Sequence, residues 1–167
     1  RDGGRRIVAV KDIPADLLAR LTAPRAPILG LDMGQPQLMG ILNVTPDSFS
    51  DGGDFFCVDS ALRRAAQMVD EGAAIIDVGG ESTRPGASPV SAQEEIDRVV
   101  PVIEALVARV ALPVSVHTSK PEVMAASVAA GAGMINDVRA LCLPGALEAA
   151  AAAAVPAVNL PSTLPTS

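Results

Sequence analysis

Five polar residues follow apolar runs of this chain at or just beyond the points where those runs end: Asn43, Glu81, His117, Asn136 and Asp137. Their amide, carboxylate and imidazole groups can hydrogen-bond a small polar molecule. Taken alone, an Asn at such a place is more often a turn former than a ligand-binding residue. Whether the five residues act together depends on the elements that carry them.

Two long polar loops, 45–53 and 80–87, add further groups of this kind. Asp47 in the first loop and Arg84 in the second are candidate catalytic residues, since an arginine pairs well with a carboxylate or an anionic substrate. The alternatives are that Asp47 is a turn residue, that Thr83 and Arg84 are solvated surface, and that Glu81 pairs with Arg84 for structural reasons only.

From residue 38 onward, apolar strand-like runs alternate with segments of helical period, which is typical of βα units around a parallel sheet. The pattern predicts strands over 38–44, 75–79, 113–116 and 134–135, and the start of a fifth within 155–160. It predicts helices over 59–71, from the capping box of Ser91 and Glu94 to about 107, over 121–130 and over 146–154. Pro101 should kink or split the second of these helices.

Strand runs that are apolar on both sides predict a sheet buried on both faces. In a (β/α)₈ barrel the carboxyl ends of the strands meet at one mouth, where active sites lie. An open doubly wound sheet predicts similar sites, but no GxGxxG fingerprint follows the first strand. The predicted fold class is α/β of the (β/α)₈ TIM barrel family, with the first four to five βα units present in this chain.

The remaining parts of the chain lack this alternation. Residues 1–36 are an irregular lead-in, with a possible short strand over 7–10 and one or two helical turns over 14–21. Residues 37–160 form the partial barrel, and 161–167 are an unstructured tail. The chain begins at Arg1 rather than Met, which indicates a fragment or an incomplete reading frame.

Composition excludes several classes of function. The 167 residues are 49% hydrophobic with a net charge of -6, so the chain is not a disordered tail and has no basic surface for nucleic acid. Two cysteines and one histidine are too few for a structural zinc site. The absence of a long apolar run and of a signal segment predicts a cytoplasmic protein that does not enter a membrane.

Four segments carry a family resemblance. Residues 43–53 (NVTPDSFSDGG) and 77–87 (DVGGESTRPGA) closely resemble the first and second loops of dihydropteroate synthase. Two shorter matches are 115–123 (SVHTSKPEV) and 135–138 (INDV). The resemblance runs from residue 38 to about residue 155.

The resemblance implies a (β/α)₈ barrel and a transferase of folate biosynthesis. This family joins 6-hydroxymethyl-7,8-dihydropterin diphosphate to p-aminobenzoate, giving 7,8-dihydropteroate and pyrophosphate with Mg²⁺, and it is the target of sulfonamides. A homodimer is implied for a full-length member. By the same resemblance Asn43 helps to hold Mg²⁺, Ser82 and Thr83 contact substrate, and Asn136 hydrogen-bonds the pterin.

His117 departs from the family pattern, which has an Asp that contacts the pterin at this position. A carboxylate accepts two hydrogen bonds, whereas a neutral imidazole accepts one and donates one. Losing a charged hydrogen bond would weaken pterin binding by about 1.5–3 kcal/mol. A loss-of-function change or a sequence error is the alternative to a retuned site.

A second departure is that a full barrel of this class has about 250 residues. The later Asp, Lys and Arg/His residues of the family have no counterpart here, so we expect a truncated or disrupted copy that is inactive by itself. Two other interpretations stay open. One is the methyltetrahydrofolate-binding barrel of a corrinoid methyltransferase, and the other is an inactive remnant that only binds a ligand or pairs with another chain.

Overall fold

The computed structural model describes residues 8–45, 54–82 and 89–159 of the chain. The backbone contacts divide the chain into two units, residues 1–36 and residues 37–167. The predicted tail, 161–167, lies outside the described residues.

The first unit contains a 3₁₀ turn, Val10–Asp12, and helix α1, Ala15–Thr22, neither of which buries a residue. The helix confirms the helical turns expected over 14–21. The strand expected over 7–10 is wrong for its described part, because residues 8 and 9 have no regular structure and Val10 begins the turn. A short apolar run forms a strand only beside a partner strand, and Val10 instead stays 66% exposed.

In its described residues the second unit has five strands and four helices that alternate along the chain. The strands are β1 (Met39–Asn43), β2 (Ile75–Gly79), β3 (Val114–His117), β4 (Met134–Asp137) and β5 (Ala157–Asn159). The helices are α2 (Asp54–Asp70), α3 (Ala92–Arg109), α4 (Pro121–Ala129) and α5 (Ala146–Ala153). None of the described helices is long and apolar enough to cross a membrane.

The strand order distinguishes a (β/α)₈ barrel from an open doubly wound sheet. All five strands are parallel and lie in the order β1-β2-β3-β4-β5, with no reversal. A doubly wound sheet reverses its order at a switch point and carries helices on both faces. Here helices α2 to α5 pack against one another in succession, on one face of the sheet. The arrangement is that of consecutive units of a (β/α)₈ barrel.

The hydrophobic core lies between the sheet and these helices. Alternate strand residues face the helices and are buried against apolar helix side chains, including Leu42, Val78, Val116, Ile135, Ile103, Leu106 and Met124. The expectation of burial on both faces holds for β2, β3 and β4, whose residues are nearly all buried. It is wrong for β1, where Ile41 is 58% exposed, because β1 pairs with a single strand of the described sheet.

Local signals place the ends of several elements. Ser91 and Glu94 form the predicted capping box at the start of α3. Gly72 takes a φ of +96° after α2, a conformation that favours glycine. Pro101 lies inside α3 without splitting it, and Pro121 begins α4 as expected. Helix α2 starts five residues before the predicted helix, at Asp54.

Candidate functional site

The carboxyl ends of β1, β3 and β4 bring three of the predicted residues to one edge of the sheet. Asn43 ends β1, His117 ends β3, and Asn136 is the third residue of β4. The register pairs Asn43 with Gly79, Gly79 with His117, and His117 with Asn136. In parallel strands such partners point to the same face. The prediction that these strand ends share one edge is confirmed for the residues that the structure describes.

A buried carboxylate, Asp77, lies at the centre of this face. It is fully buried and accepts hydrogen bonds from Ser115 Oγ at 2.5 Å and from Asn136 Nδ2 at 2.8 Å. His117 Nδ1 lies 3.2 Å from Asp77 Oδ2. A buried carboxylate needs such partners, because an unpaired charge in a low dielectric is costly. Asp77 therefore holds the side chains of β3 and β4 in fixed positions.

Two polar atoms beside Asp77 are buried without a hydrogen-bond partner among the described residues. They are Nε2 of His117 and Oδ1 of Asn136. Since the Asp77 carboxylate only accepts, Nδ1 of His117 carries the proton toward it, and neutral His117 presents a lone pair at Nε2. With His117 neutral, the site therefore offers two acceptors that have no partner among the described residues. Buried polar groups of this kind mark the place where a ligand's donors can bind.

The charge state of His117 depends on the same neighbour. The hydrogen bond to Asp77 raises the pKa of His117 above its usual value, and burial of the ring opposes this shift. The negative charges of Asp77, Asp137 and Glu95 raise the pKa further. When His117 is protonated, Nε2 becomes a donor, so the hydrogen-bonding pattern offered to a ligand changes with pH.

A cavity of about 360 Å³ opens beside His117. Its walls come from the last residue of β3, from the chain that follows β2, β3 and β4, and from one residue of α3. The lining residues are Glu81, Ser82, Glu95, His117, Thr118, Ser119, Lys120, Val138 and Arg139. The predicted residues Ser82 and His117 therefore share one cavity.

Lys120 forms an ion pair with each of two glutamates in the wall of this cavity. Its Nζ bonds Glu81 Oε2, and it lies 2.5 Å from Glu95 Oε2. Burial lowers the pKa of Lys120, but the hydrogen bonds to Glu81 and Glu95 outweigh burial, and the net shift is upward. Lys120 is therefore charged at neutral pH.

Asp137 has a structural environment, although it ends β4 beside the site. Its Oδ1 accepts from Ser119 Oγ at 2.5 Å and from the Arg139 amide at 2.8 Å. Its Oδ2 accepts from the Leu141 amide at 2.8 Å. With both oxygens occupied, Asp137 fixes the turn that follows β4. The strand reaches Asp137 rather than ending at Ile135 because these bonds satisfy its polar side chain in a buried position.

The end of β1 could hold a magnesium ion whose other ligands are mostly water and substrate oxygens. In residues 8–45, 54–82 and 89–159, no three His, Cys, Asp or Glu side chains could hold a metal by themselves. Asn43 is exposed, and a Cβ built on Gly79 would lie 3.6 Å from its Oδ1. Because Gly79 has no side chain, the space beside Asn43 Oδ1 is left open. Mg²⁺ often takes one or two protein oxygens and completes its shell with phosphate and water, which fits Asn43.

Three predicted residues, Asp47, Thr83 and Arg84, lie outside the described residues. Sequence reasoning missed three others, Asp77, Glu95 and Lys120. Asp77 had a signal, since it is an acid in the middle of an apolar strand. Glu95 had one too, because it shares the spacing of Val99, Val102 and Leu106 on the buried side of α3. Lys120 lies in the segment 115–123 that resembles the family, but its pairing had no signal, as its partner Glu81 is 39 residues away.

Comparison with known proteins agrees with this geometry. Residues 39–163 match the family described as pterin binding enzyme. The chain is 57% identical over 126 residues to a dihydropteroate synthase of Escherichia coli strain K12, covering 75% of this chain and 45% of that protein.

Solved structures give the same result. A dihydropteroate synthase of Xanthomonas albilineans with 4-aminobenzoic acid superposes with a TM-score of 0.74 at 58% identity, covering 81% of this chain and 50% of the other. A Yersinia pestis dihydropteroate synthase with a sulfonamide drug complex gives 0.72 at 57% identity, covering 80% and 50%. The chain thus spans about half the length of the proteins it matches. Because the family match extends over most of its residues, this chain belongs to the pterin binding enzyme family.

Proposed function

We propose that this chain supplies the pterin-binding part of a dihydropteroate synthase. The reaction joins the amine nitrogen of p-aminobenzoate to the methylene carbon of 6-hydroxymethyl-7,8-dihydropterin diphosphate. The carbon–oxygen bond to the diphosphate breaks, pyrophosphate leaves, and the amine loses a proton. The observation that carries the proposal is a pair of buried polar atoms without a described partner, Asn136 Oδ1 and His117 Nε2, beside the buried Asp77 carboxylate. Asn136 Oδ1 is an acceptor, and His117 Nε2 is one when the ring is neutral.

A pterin fits this arrangement because its pyrimidine edge carries an amino group and a ring N–H. Both are donors, and Asn136 Oδ1 and the Nε2 of neutral His117 are acceptors that nothing else among the described residues satisfies. Asp77 keeps Asn136 oriented, since Asn136 Nδ2 donates to it and leaves Oδ1 free to accept. In our proposal Asn136 and His117 bind the pterin directly, and Asp77 orients both of them.

The diphosphate would lie toward the end of β1, where Asn43 would help to hold Mg²⁺. When bound there, the metal ion neutralises charge on the departing pyrophosphate. The loops after β1 and β2 complete this end of the site. We propose Asp47 and Arg84 as catalytic residues that act on charge near the diphosphate, and Ser82 and Thr83 as substrate contacts.

Several properties of the whole enzyme follow as part of the proposal. The named relatives have been solved with 4-aminobenzoic acid and with a sulfonamide complex. We therefore propose p-aminobenzoate as the second substrate and sulfonamides as competitors for its site. We further propose a cytoplasmic location, with no nucleic-acid or membrane partner, and a homodimer for the full-length enzyme.

Isothermal titration calorimetry of the 167-residue chain tests the pterin site. The ligands are 6-hydroxymethyl-7,8-dihydropterin diphosphate and the same pterin without its diphosphate, each with and without Mg²⁺. We expect both ligands to bind. We expect the diphosphate to bind more tightly than the pterin without its diphosphate, and this difference to require Mg²⁺. Asn136→Leu should abolish binding, whereas the exposed Glu104→Gln should not change it. Binding of methyltetrahydrofolate in preference to the diphosphate would contradict the proposal and favour the methyltransferase interpretation.

A further inference from the structure

The loop that follows β2 begins against helix α3 in a close fit. A Cβ on Gly80 would lie 2.8 Å from Val99 Cγ1 and 2.9 Å from Glu95 Cγ, so the backbone there approaches the helix as only glycine allows. Arg98 Nη1 donates to the Gly80 carbonyl at 3.1 Å. The first residue of the loop is therefore fixed to α3 by packing and by a hydrogen bond.

The next residue, Glu81, is held from the other side of the cavity. Its carboxylate bonds Nζ of Lys120, which precedes the first residue of α4. The same Nζ lies 2.5 Å from Oε2 of Glu95 in the first turn of α3. One ammonium group thus connects the β2–α3 loop, α3 and the β3–α4 loop.

The two ion pairs of Lys120 have different reasons to exist. The Glu95 side chain is 1% exposed, and a carboxylate so deeply buried needs a cation. The Glu81 side chain is 24% exposed and could be solvated without help. Burial therefore explains the pair with Glu95 but not the pair with Glu81. The ion pair with Glu81 fixes the position of a loop residue at the edge of the cavity.

We propose that Lys120 is a positioning residue, which uses its charged contact with Glu81 to hold the start of the β2–α3 loop in the geometry that substrate binding requires. The inference rests on the proposed function, because the loop continues from Glu81 into Ser82, Thr83 and Arg84. Ser82 lines the cavity directly. Lys120 acts on substrate through this loop and not by touching the reacting atoms.

Glu81→Gln is the informative variant, because it weakens the hold on the loop and leaves Lys120 paired with the buried Glu95. The matched control is Glu104→Gln, which makes the same change on an exposed site of α3. The first readout is amide hydrogen exchange of the full chain without ligand. We expect exchange at residues 81 and 82 to become about tenfold faster in Glu81→Gln, with exchange in α3 unchanged, as for a local opening.

The second readout is the affinity of the pterin diphosphate with Mg²⁺. We expect Glu81→Gln and Lys120→Met to weaken binding several-fold, and Lys120→Arg, which keeps a cation there, to restore most of it. If Lys120→Met fails to fold, Glu81→Gln still decides the matter.

The two readouts distinguish failure of the positioning role from failure of the proposed function. Unchanged exchange at 81 and 82 in Glu81→Gln overturns the positioning role even if the wild-type chain binds the ligand well. Faster exchange with undiminished affinity also overturns it, since the loop would then be held without benefit to binding. Absence of binding by the wild-type chain contradicts the proposed function, while the exchange result still tests whether Lys120 holds the loop.

Discussion

Asn136 Nδ2 donates to Asp77 Oδ2 over 2.8 Å, although strand β3 lies between the strands that carry them. Adjacent strands are about 4.8 Å apart, so two strands with a third between them are about 10 Å apart in a flat sheet. Side chains from such strands meet on a concave face, as in the interior layers of a barrel, where alternate strands supply each layer. The curvature of the sheet thus assembles the candidate pterin site.

The first prediction concerns the position where the family has an Asp. We expect His117→Asp to tighten binding of the pterin diphosphate by about 1.5–3 kcal/mol, because a carboxylate accepts charged hydrogen bonds from the pterin donors. The introduced carboxylate would also lie opposite Asp77, where Nδ1 of His117 lies in the wild-type chain. Hydrogen-bond donors of the bound ligand would reduce the repulsion between the two carboxylates. Calorimetry on both forms measures the change.

The control for that variant is His117→Asn, which has the shape of Asp without its charge. It should bind no better than the wild-type chain. Equal or weaker binding by His117→Asp would show that the imidazole suits the ligand and that this site has been retuned.

The second prediction concerns pH. The pKa of His117 is raised in the folded chain above its ordinary value of 6.5, first by the hydrogen bond to Asp77. The folded state therefore holds this proton more tightly than the unfolded state, and the resulting stabilisation is complete below pH 6.5. It is lost as the pH rises through the folded-state pKa.

This is measured by NMR titration of the imidazole Cε1–H signal, since the chain has one histidine. The free energy of unfolding in urea should fall over the same pH range, and His117→Gln should remove that part of the pH dependence. A histidine signal that titrates at or below pH 6.5 would contradict the prediction.

The third prediction concerns the fit of the loop against α3. We expect Gly80→Ala to lower the free energy of unfolding by about 1–3 kcal/mol, as overpacking does, because its Cβ would overlap Val99 and Glu95. Gly79→Ala is the comparison, since its Cβ meets other atoms at 3.5 Å or more. Urea unfolding should give a clearly lower free energy of unfolding for Gly80→Ala than for Gly79→Ala. An equal effect of the two substitutions would show that α3 shifts to make room for the added methyl group.

The fourth prediction concerns turnover. We expect the purified 167-residue chain to form no measurable dihydropteroate from pterin diphosphate, p-aminobenzoate and Mg²⁺. It spans 45% of the length of a relative named dihydropteroate synthase. Each missing electrostatic contact to the leaving group commonly costs about 10²–10³ in rate. Product formation that Asn43→Ala abolishes would show that this half is sufficient.

The strands and helices could be predicted from the sequence because apolar periodicity records which side chains are buried. The run that became β2 needed nothing else, whereas β3 begins and ends one residue later than predicted, at Val114 and the polar His117. The end of β4 could not be placed, since Asn136 and Asp137 are polar and are buried only because Asp77, Ser119 and two backbone amides satisfy them. Pairing of that kind depends on tertiary contacts.

The candidate site was partly predictable for the same reason. Strand ends located Asn43, His117 and Asn136, and the family resemblance supplied their proposed roles. The link from Lys120 to Glu81 and Glu95 could not be predicted, because it joins three elements that meet only in the folded sheet. The mismatch over residues 7–10 has a similar origin, as a short apolar segment does not reveal whether a partner strand exists.

The consecutive strand order has a consequence for how the chain acquires its structure. Each strand from β2 to β5 pairs with the strand one helix earlier in the chain, so among the described strands only β1 lacks a partner made before it. During synthesis from the amino terminus, every new βα unit can add to an edge that is already in place. Asp77 is made before Ser115, His117 and Asn136, so it remains unsatisfied until β3 and β4 arrive. The polar centre of the site is therefore completed only when the fourth strand docks.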